Sequence, residues 1–128
     1  MNITDFLKTN EVGNNFEAEL TISNRFTDEN GEFLKFKVRA FSSSELSDIT
    51  RRTGNGTVES SIEIVATATI EPNFKDIELQ NKYGVHGATE LVNKILLPGE
   101  MTALADEILR LSGYGFPIDK LVKEAKKH

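Results

Sequence analysis

The chain has 128 residues, 38% of them hydrophobic and 27% charged, with a formal net charge of −5, a pI near 5.1 and no cysteine. By size this is one ordinary globular domain, able to bury roughly 65% of its unfolded surface. The same numbers exclude a disulfide scaffold or thiolate metal site, weigh against a phosphate-backbone partner, and leave no window near the ~20 apolar residues of a membrane span.

Residues 1–15 contain no basic n-region and no long apolar run, so no secretory signal is expected and the cytoplasm is the simplest compartment. Ile3, Phe6 and Leu7 fall at i, i+3, i+4, which predicts a short helix laying an apolar stripe on the domain. Residues 10–15, with Gly13, read as a loop.

From Phe16 the period changes to two. Phe16, Ala18, Leu20 and Ile22 alternate with polar residues, and Leu34, Phe36, Val38 and Ala40 do the same. Asn30-Gly31 supplies turn chemistry between the two runs. Both apolar sets are even-numbered, so the turn must hold an odd number of residues, three or five, with Gly31 in a left-handed or bulge position. This register places Glu17 and Glu19 on the outer face with Lys37 and Arg39. Opposite charges there contribute roughly 0.2–1 kcal/mol per pair and oppose a one-residue slip.

Ser42 and Glu45 have capping-box spacing and open a helix to about Arg52, with Leu46 and Ile49 inward and Gly54-Asn55-Gly56 ending it. Residues 57–70 are β-branched, yet Val58, Ile62, Val65, Ala66 and Ile70 follow helical spacing. The segment reads as a helix stopped by Glu71-Pro72. Phe74, Ile77 and Leu79 anchor a short irregular or one-turn segment ending at Tyr83-Gly84. A helix over residues 87–97 turns Ala88, Leu91, Val92, Ile95 and Leu96 inward. Pro98 starts the next, with Met101, Leu104, Ala105, Ile108 and Leu111 on one stripe and Gly113 closing it. Tyr114-Gly115-Phe116 reads as a hinge and Pro117 as the start of a last amphipathic helix.

The expected fold is therefore α+β: one antiparallel β-hairpin (about 16–26 and 33–41) packed with four to five α-helices. Residues 1–113 form the body, and residues 114–128 the hinge and C-terminal helix. Residues 118–128 carry Lys120, Lys123, Lys126 and Lys127 against Asp119 and Glu124, a net of +2, so the first 117 residues hold −7.

Catalytic chemistry finds no foothold in this sequence. His86 lies in a Gly84-Val85-His86-Gly87 turn with no second histidine at ligand spacing, and reads as a turn or cap residue. Ser42-Ser43-Ser44 lacks a nucleophile elbow, and Asp28-x-Asn30-Gly31 is a turn with too few ligands for calcium. No catalytic, cofactor-binding or metal residue is assigned. Two features suit binding instead. Phe33 and Phe41 fall on the nominally polar face of the second strand, either as an interface or as a patch covered by the N-terminal segment. Ile118, Leu121, Val122 and Ala125 line one side of the last helix, which either docks on a partner or packs on its own domain.

Several phrases also follow one another in a recognisable order. They are Asp5-Phe6-Leu7-Lys8, Arg25-Phe26-x-Asp28-Glu29-Asn30-Gly31, Val38-Arg39-Ala40 and, most fully, the block 72–113 with its Glu78-Leu79-Gln80, Tyr83-Gly84-Val85 and Leu96-Leu97-Pro98-Gly99-Glu100. Over about 110 residues this order resembles the XkdN-like tail assembly chaperones of bacteriophages and phage-like particles. The Gly54-Asn55-Gly56 connection is shorter than the charged insert of relatives, and the tail after Gly113 is the part carried over least.

The resemblance implies a non-enzymatic protein without cofactors. It implies one that binds the tape measure protein, keeps it soluble and helps tail tube protein polymerise around it. A frameshifted longer form of the chain itself is a further implied partner, whereas nucleic acid and membrane are not. The implied location is the bacterial host cytoplasm, with absence from the mature tail. A structural tail component, a tube or baseplate subunit, is the alternative. The candidate partner contacts are Phe33, Phe41, Ile118, Leu121, Val122 and Ala125.

Overall fold

A computed structural model describes residues 1–114. These run in the order α1 (Ile3–Thr9), β1 (Glu17–Leu20), β2 (Phe36–Arg39), α2 (Ser43–Thr53), α3 (Val58–Ala68), β3 (Thr69–Glu71), α4 (Ile77–Lys82), α5 (Ala88–Ile95) and α6 (Pro98–Leu111). The α+β class is as the sequence indicated. The expected C-terminal helix from Pro117, and all of the 114–128 segment but Tyr114, lie outside the described residues.

β1 and β2 pair antiparallel as Glu17↔Arg39, Ala18↔Val38, Glu19↔Lys37 and Leu20↔Phe36. Every pair has an even sum, as the alternation requires, and Phe36 and Val38 are buried. The ladder is shorter than the sequence pattern. Beyond Leu20 the pairing resumes only at an isolated Thr27↔Phe33 bridge, where Leu34 N–H donates to Phe26 C=O. Six steps separate Leu20 from Phe26, but two separate Leu34 from Phe36, so four extra residues loop out of the first strand. At the tip, five residues lie between Thr27 and Phe33, and Gly31 has φ +80. The odd loop and the left-handed glycine are both observed.

The sheet gains a third strand where helix was expected. α3 ends at Ala68, and Thr69–Glu71 turn extended to pair antiparallel with β2 (Lys37↔Glu71, Val38↔Thr69), giving the order β1-β2-β3. Thr69 and Ile70 are β-branched and Pro72 restrains the residue before it, so these last positions follow strand chemistry once an edge is available. A two-stranded hairpin is marginal alone, and β3 makes Phe36–Arg39 the central strand.

α2 begins with the capping box foreseen: Ser42 Oγ accepts from Glu45 N–H, and Glu45 Oε1 accepts from Ser42 N–H. α3 packs against α2, α5 and α6, and α6 reaches β2. The core between sheet and helices holds Val38, Val65, Phe74, Leu91, Leu104 and Ile108, all fully buried. Two expected anchors are not inside: Val58 and Ile77 occupy the first turns of α3 and α4 and face solvent.

α1 forms as the spacing predicts and is capped by Asn2 and Asp5. It does not lay its stripe on the domain. Residues 1–17 are exposed throughout, so Ile3, Phe6 and Leu7 are uncovered. Apolar spacing specifies a helical face but not the surface that receives it.

Candidate partner-binding surface

Among the described residues, no group of three or more acidic or histidine side chains is placed to hold a metal. His86 is exposed, and its backbone N–H donates to Glu90 Oε2 at the start of α5. Ser42 is occupied as a cap. The polar side chains with perturbed ionisation are structural.

The first such group braces the hairpin tip. Glu100, in the first turn of α6, is buried, and Arg25 from the looped-out residues grips it with two hydrogen bonds, Nε to Oε2 at 2.9 Å and Nη2 to Oε1 at 2.5 Å. Arg25 Nη2 also donates to Ile95 C=O, and Leu97 N–H donates to Glu100 Oε1. The guanidinium hydrogen bonds outweigh desolvation and hold the Glu100 carboxyl down at about 2. Arg25 lies over the Phe26 ring, which meets Phe36 edge-on at 5.1 Å. The extra residues of the first strand thus serve to carry Arg25 to the α5–α6 turn.

A second pair ties β2 to α2. Arg39 donates to both Glu45 oxygens and to the carbonyls of Ala40 and Thr67. Arg39 therefore leaves the outer-face pairing expected with Glu17 or Glu19. Lys37 keeps such a contact, 3.2 Å from Glu17. Hydrogen bonds from Arg39, chief among the causes, lower the Glu45 carboxyl to about 2.

With its base braced, the tip is stiffened again by Asp28, whose Oδ1 accepts from the N–H groups of Asn30 and Glu32. On this platform Phe33 is 55% exposed and Leu34 50% exposed. Phe41 does not join them, since it is buried in the core with its N–H donating to Ser112 Oγ. Phe33 and Phe41 share an odd parity, but Phe41 lies past the end of β2. Ile118, Leu121, Val122 and Ala125 lie outside the described residues.

Phe41 instead floors a shallow trough. One wall is the lead into β1 (Asn14–Glu17), and the others are the start of α2 and the end of α6 at Leu111–Tyr114. Leu46 and Phe16 add apolar surface, while Ser42, Ser43 and Ser112 keep the walls low.

The Arg25–Glu100 brace and the trough were both missed from the sequence. The brace spans 75 residues, beyond any local spacing rule. A signal existed for half of it: a glutamate at the third position of a helix behind Leu97-Pro98 suits capping of its own backbone. The trough joins three distant segments and has no one-dimensional signature.

Comparison with known proteins now bears on this arrangement. Residues 3–126 match the family model described as phage XkdN-like tail assembly chaperone protein. The chain is 24% identical over 124 residues to the uncharacterized protein YqbN of Bacillus subtilis (strain 168), covering 86% of this chain and 83% of that protein. A crystal structure of the protein YqbN superposes with a TM-score of 0.72 at 20% identity, covering 89% of this chain and 98% of the other.

Proposed function

We propose that this chain, which belongs to the XkdN-like phage tail assembly chaperone family, binds the tape measure protein and keeps it soluble while tail tube protein assembles around it. It acts without catalysis, in the host cytoplasm, and is absent from the finished tail. A long helical chain with an exposed apolar seam aggregates unless the seam is masked reversibly. A small acidic domain presenting a few apolar side chains can mask it and let go.

The observation that supports this reading is the braced tip. Phe33 and Leu34 are large, apolar and exposed, yet they stand on a turn fixed by Asp28 and by the Arg25–Glu100 pair. Side chains held in place before contact lose less entropy on binding. The candidate contacts are Phe33 with Leu34, and the C-terminal residues Ile118, Leu121, Val122 and Ala125.

Co-expression with the tape measure protein of the same particle tests the proposal. The wild-type chain should keep that protein in the soluble fraction, and Phe33→Ser with Leu34→Ser should lose the effect while melting at an unchanged temperature. A tape measure protein equally soluble without this chain rejects the reading. Stoichiometric recovery of the chain from purified particles by mass spectrometry favours a structural subunit instead.

A further inference from the structure

We infer that the N-terminal arm, residues 1–16, docks in the Phe41 trough of a second copy of this chain, in a reciprocal exchange that makes a dimer. This goes beyond the chaperone reading and does not depend on it. Four observations converge.

The arm is apolar and uncovered: Ile3, Phe6 and Leu7 share one helical face, Val12 and Phe16 follow, and all five are exposed. Its helix has seven residues, although isolated helices below ~12–15 residues are marginal in water. A capped but unsupported helix of this length needs a surface to persist.

The trough offers that surface. Its floor is Phe41 with Leu46, Phe16 and Leu111 beside it, and its serine walls admit a helix closely. The geometry favours exchange over self-docking. The arm is anchored at its root, where Phe16 C=O accepts from Ala40 N–H, and Asn14 to Phe16 are themselves one wall of the trough. In the single chain residues 1–13 stay exposed, and α1 does not occupy the trough that its own root borders. A neighbour's trough is the same surface left open, and exchange of an identical element between copies is a low-cost route to a dimer.

The size is also sufficient. Sixteen arm residues and the twelve trough residues outside the arm give 28 a side, within the roughly 20–30 per side of a stable interface. Pairing through the β1 edge is a poorer route, because that edge is only four residues long and its most overlapping face-preserving registers set Glu17 or Glu19 opposite glutamates of the other copy.

Sedimentation of the full chain over a wide concentration range is the test. The expected mass is twice 14.3 kDa, about 28.6 kDa, falling to the monomer for Phe6→Asp with Leu7→Asp. Phe6 and Leu7 face solvent in the single chain, so that variant should fold normally and melt at a concentration-independent temperature, while the melting temperature of the wild-type dimer rises with concentration. Ser43→Arg, which narrows the trough from its exposed wall, should weaken the dimer. Because the chain has no cysteine, mixing Leu7→Cys with Ser43→Cys under oxidation should link the two variants covalently. A wild-type chain monomeric throughout overturns the inference. So does a dimer that survives the Asp substitutions, or a disulfide closing within one chain when both cysteines are placed together.

Discussion

Glu100 takes its hydrogen bonds from both sides, two from Arg25 across the fold and one from the backbone N–H of Leu97. Replacing it by Gln leaves a guanidinium facing a neutral amide. A fully buried pair loses about 3–5 kcal/mol when one partner is removed. Arg25 is 42% exposed and can recruit water, so Glu100→Gln should cost less, about 1–3 kcal/mol by urea unfolding. The pair also sets an acid response. Glu100 and Glu45 are both held at about 2 in the folded protein, below the ordinary 4.5. Their contribution is full above about pH 4.5 and drains away as pH falls toward about 2. Urea midpoints at neutral pH and near pH 3 should differ, and Glu100→Gln should narrow that difference. An unchanged gap would remove Glu100 from the acid response.

At the scale of elements, β3 is instructive. Its Thr69 hydroxyl is buried with no hydrogen-bond partner among the described residues. Thr69→Val keeps the shape, removes the desolvated oxygen and suits a strand, so it should raise stability by about 1 kcal/mol. A loss in thermal or urea unfolding would show that the hydroxyl is satisfied. β3 also marks where the sequence stopped being legible. The alternation of residues 16–22 and 34–40, the Ser42 capping box, Gly31 and Pro98 each encode local geometry, and each element appeared near its place. Thr69–Glu71 became a strand because β2 had an open edge, a fact held by residues 36–39 and not by the segment itself. The same reason hides the candidate binding surface. Phe33 was legible as an exposed aromatic, but Leu34, read as inward by parity, faces solvent because it stands at the tip, beyond the last ladder pair Leu20↔Phe36.

For the whole molecule, stability is concentrated in the layer between the β2 face and the helices α3, α5 and α6. Phe74 lies in that layer without exposure, and Gln80 from α4 donates to its carbonyl at 2.9 Å. Phe74→Ala should therefore cost about 3–5 kcal/mol and lower the melting temperature of the entire domain in one transition. A separate early transition, with the rest intact, would mean that the layer is not a single cooperative unit. The family-defining phrases fall largely on this scaffold: Gln80 of the Glu-Leu-Gln run holds Phe74, and Glu100 of Leu-Leu-Pro-Gly-Glu holds Arg25. These phrases build the platform, while the exposed side chains it presents lie on the tip.

The brace between Arg25 and Glu100 also has a consequence in time. A ribosome adds about 5–20 residues per second, so the 75 residues separating the partners take roughly 4–15 s to make. During that interval the hairpin strands exist without α6, which packs on β2, and the inward side chains Phe36 and Val38 lack their cover. The nascent chain of this chaperone-family protein thus itself carries bare apolar surface for seconds. Its own synthesis ends that exposure only once Glu100 has been made.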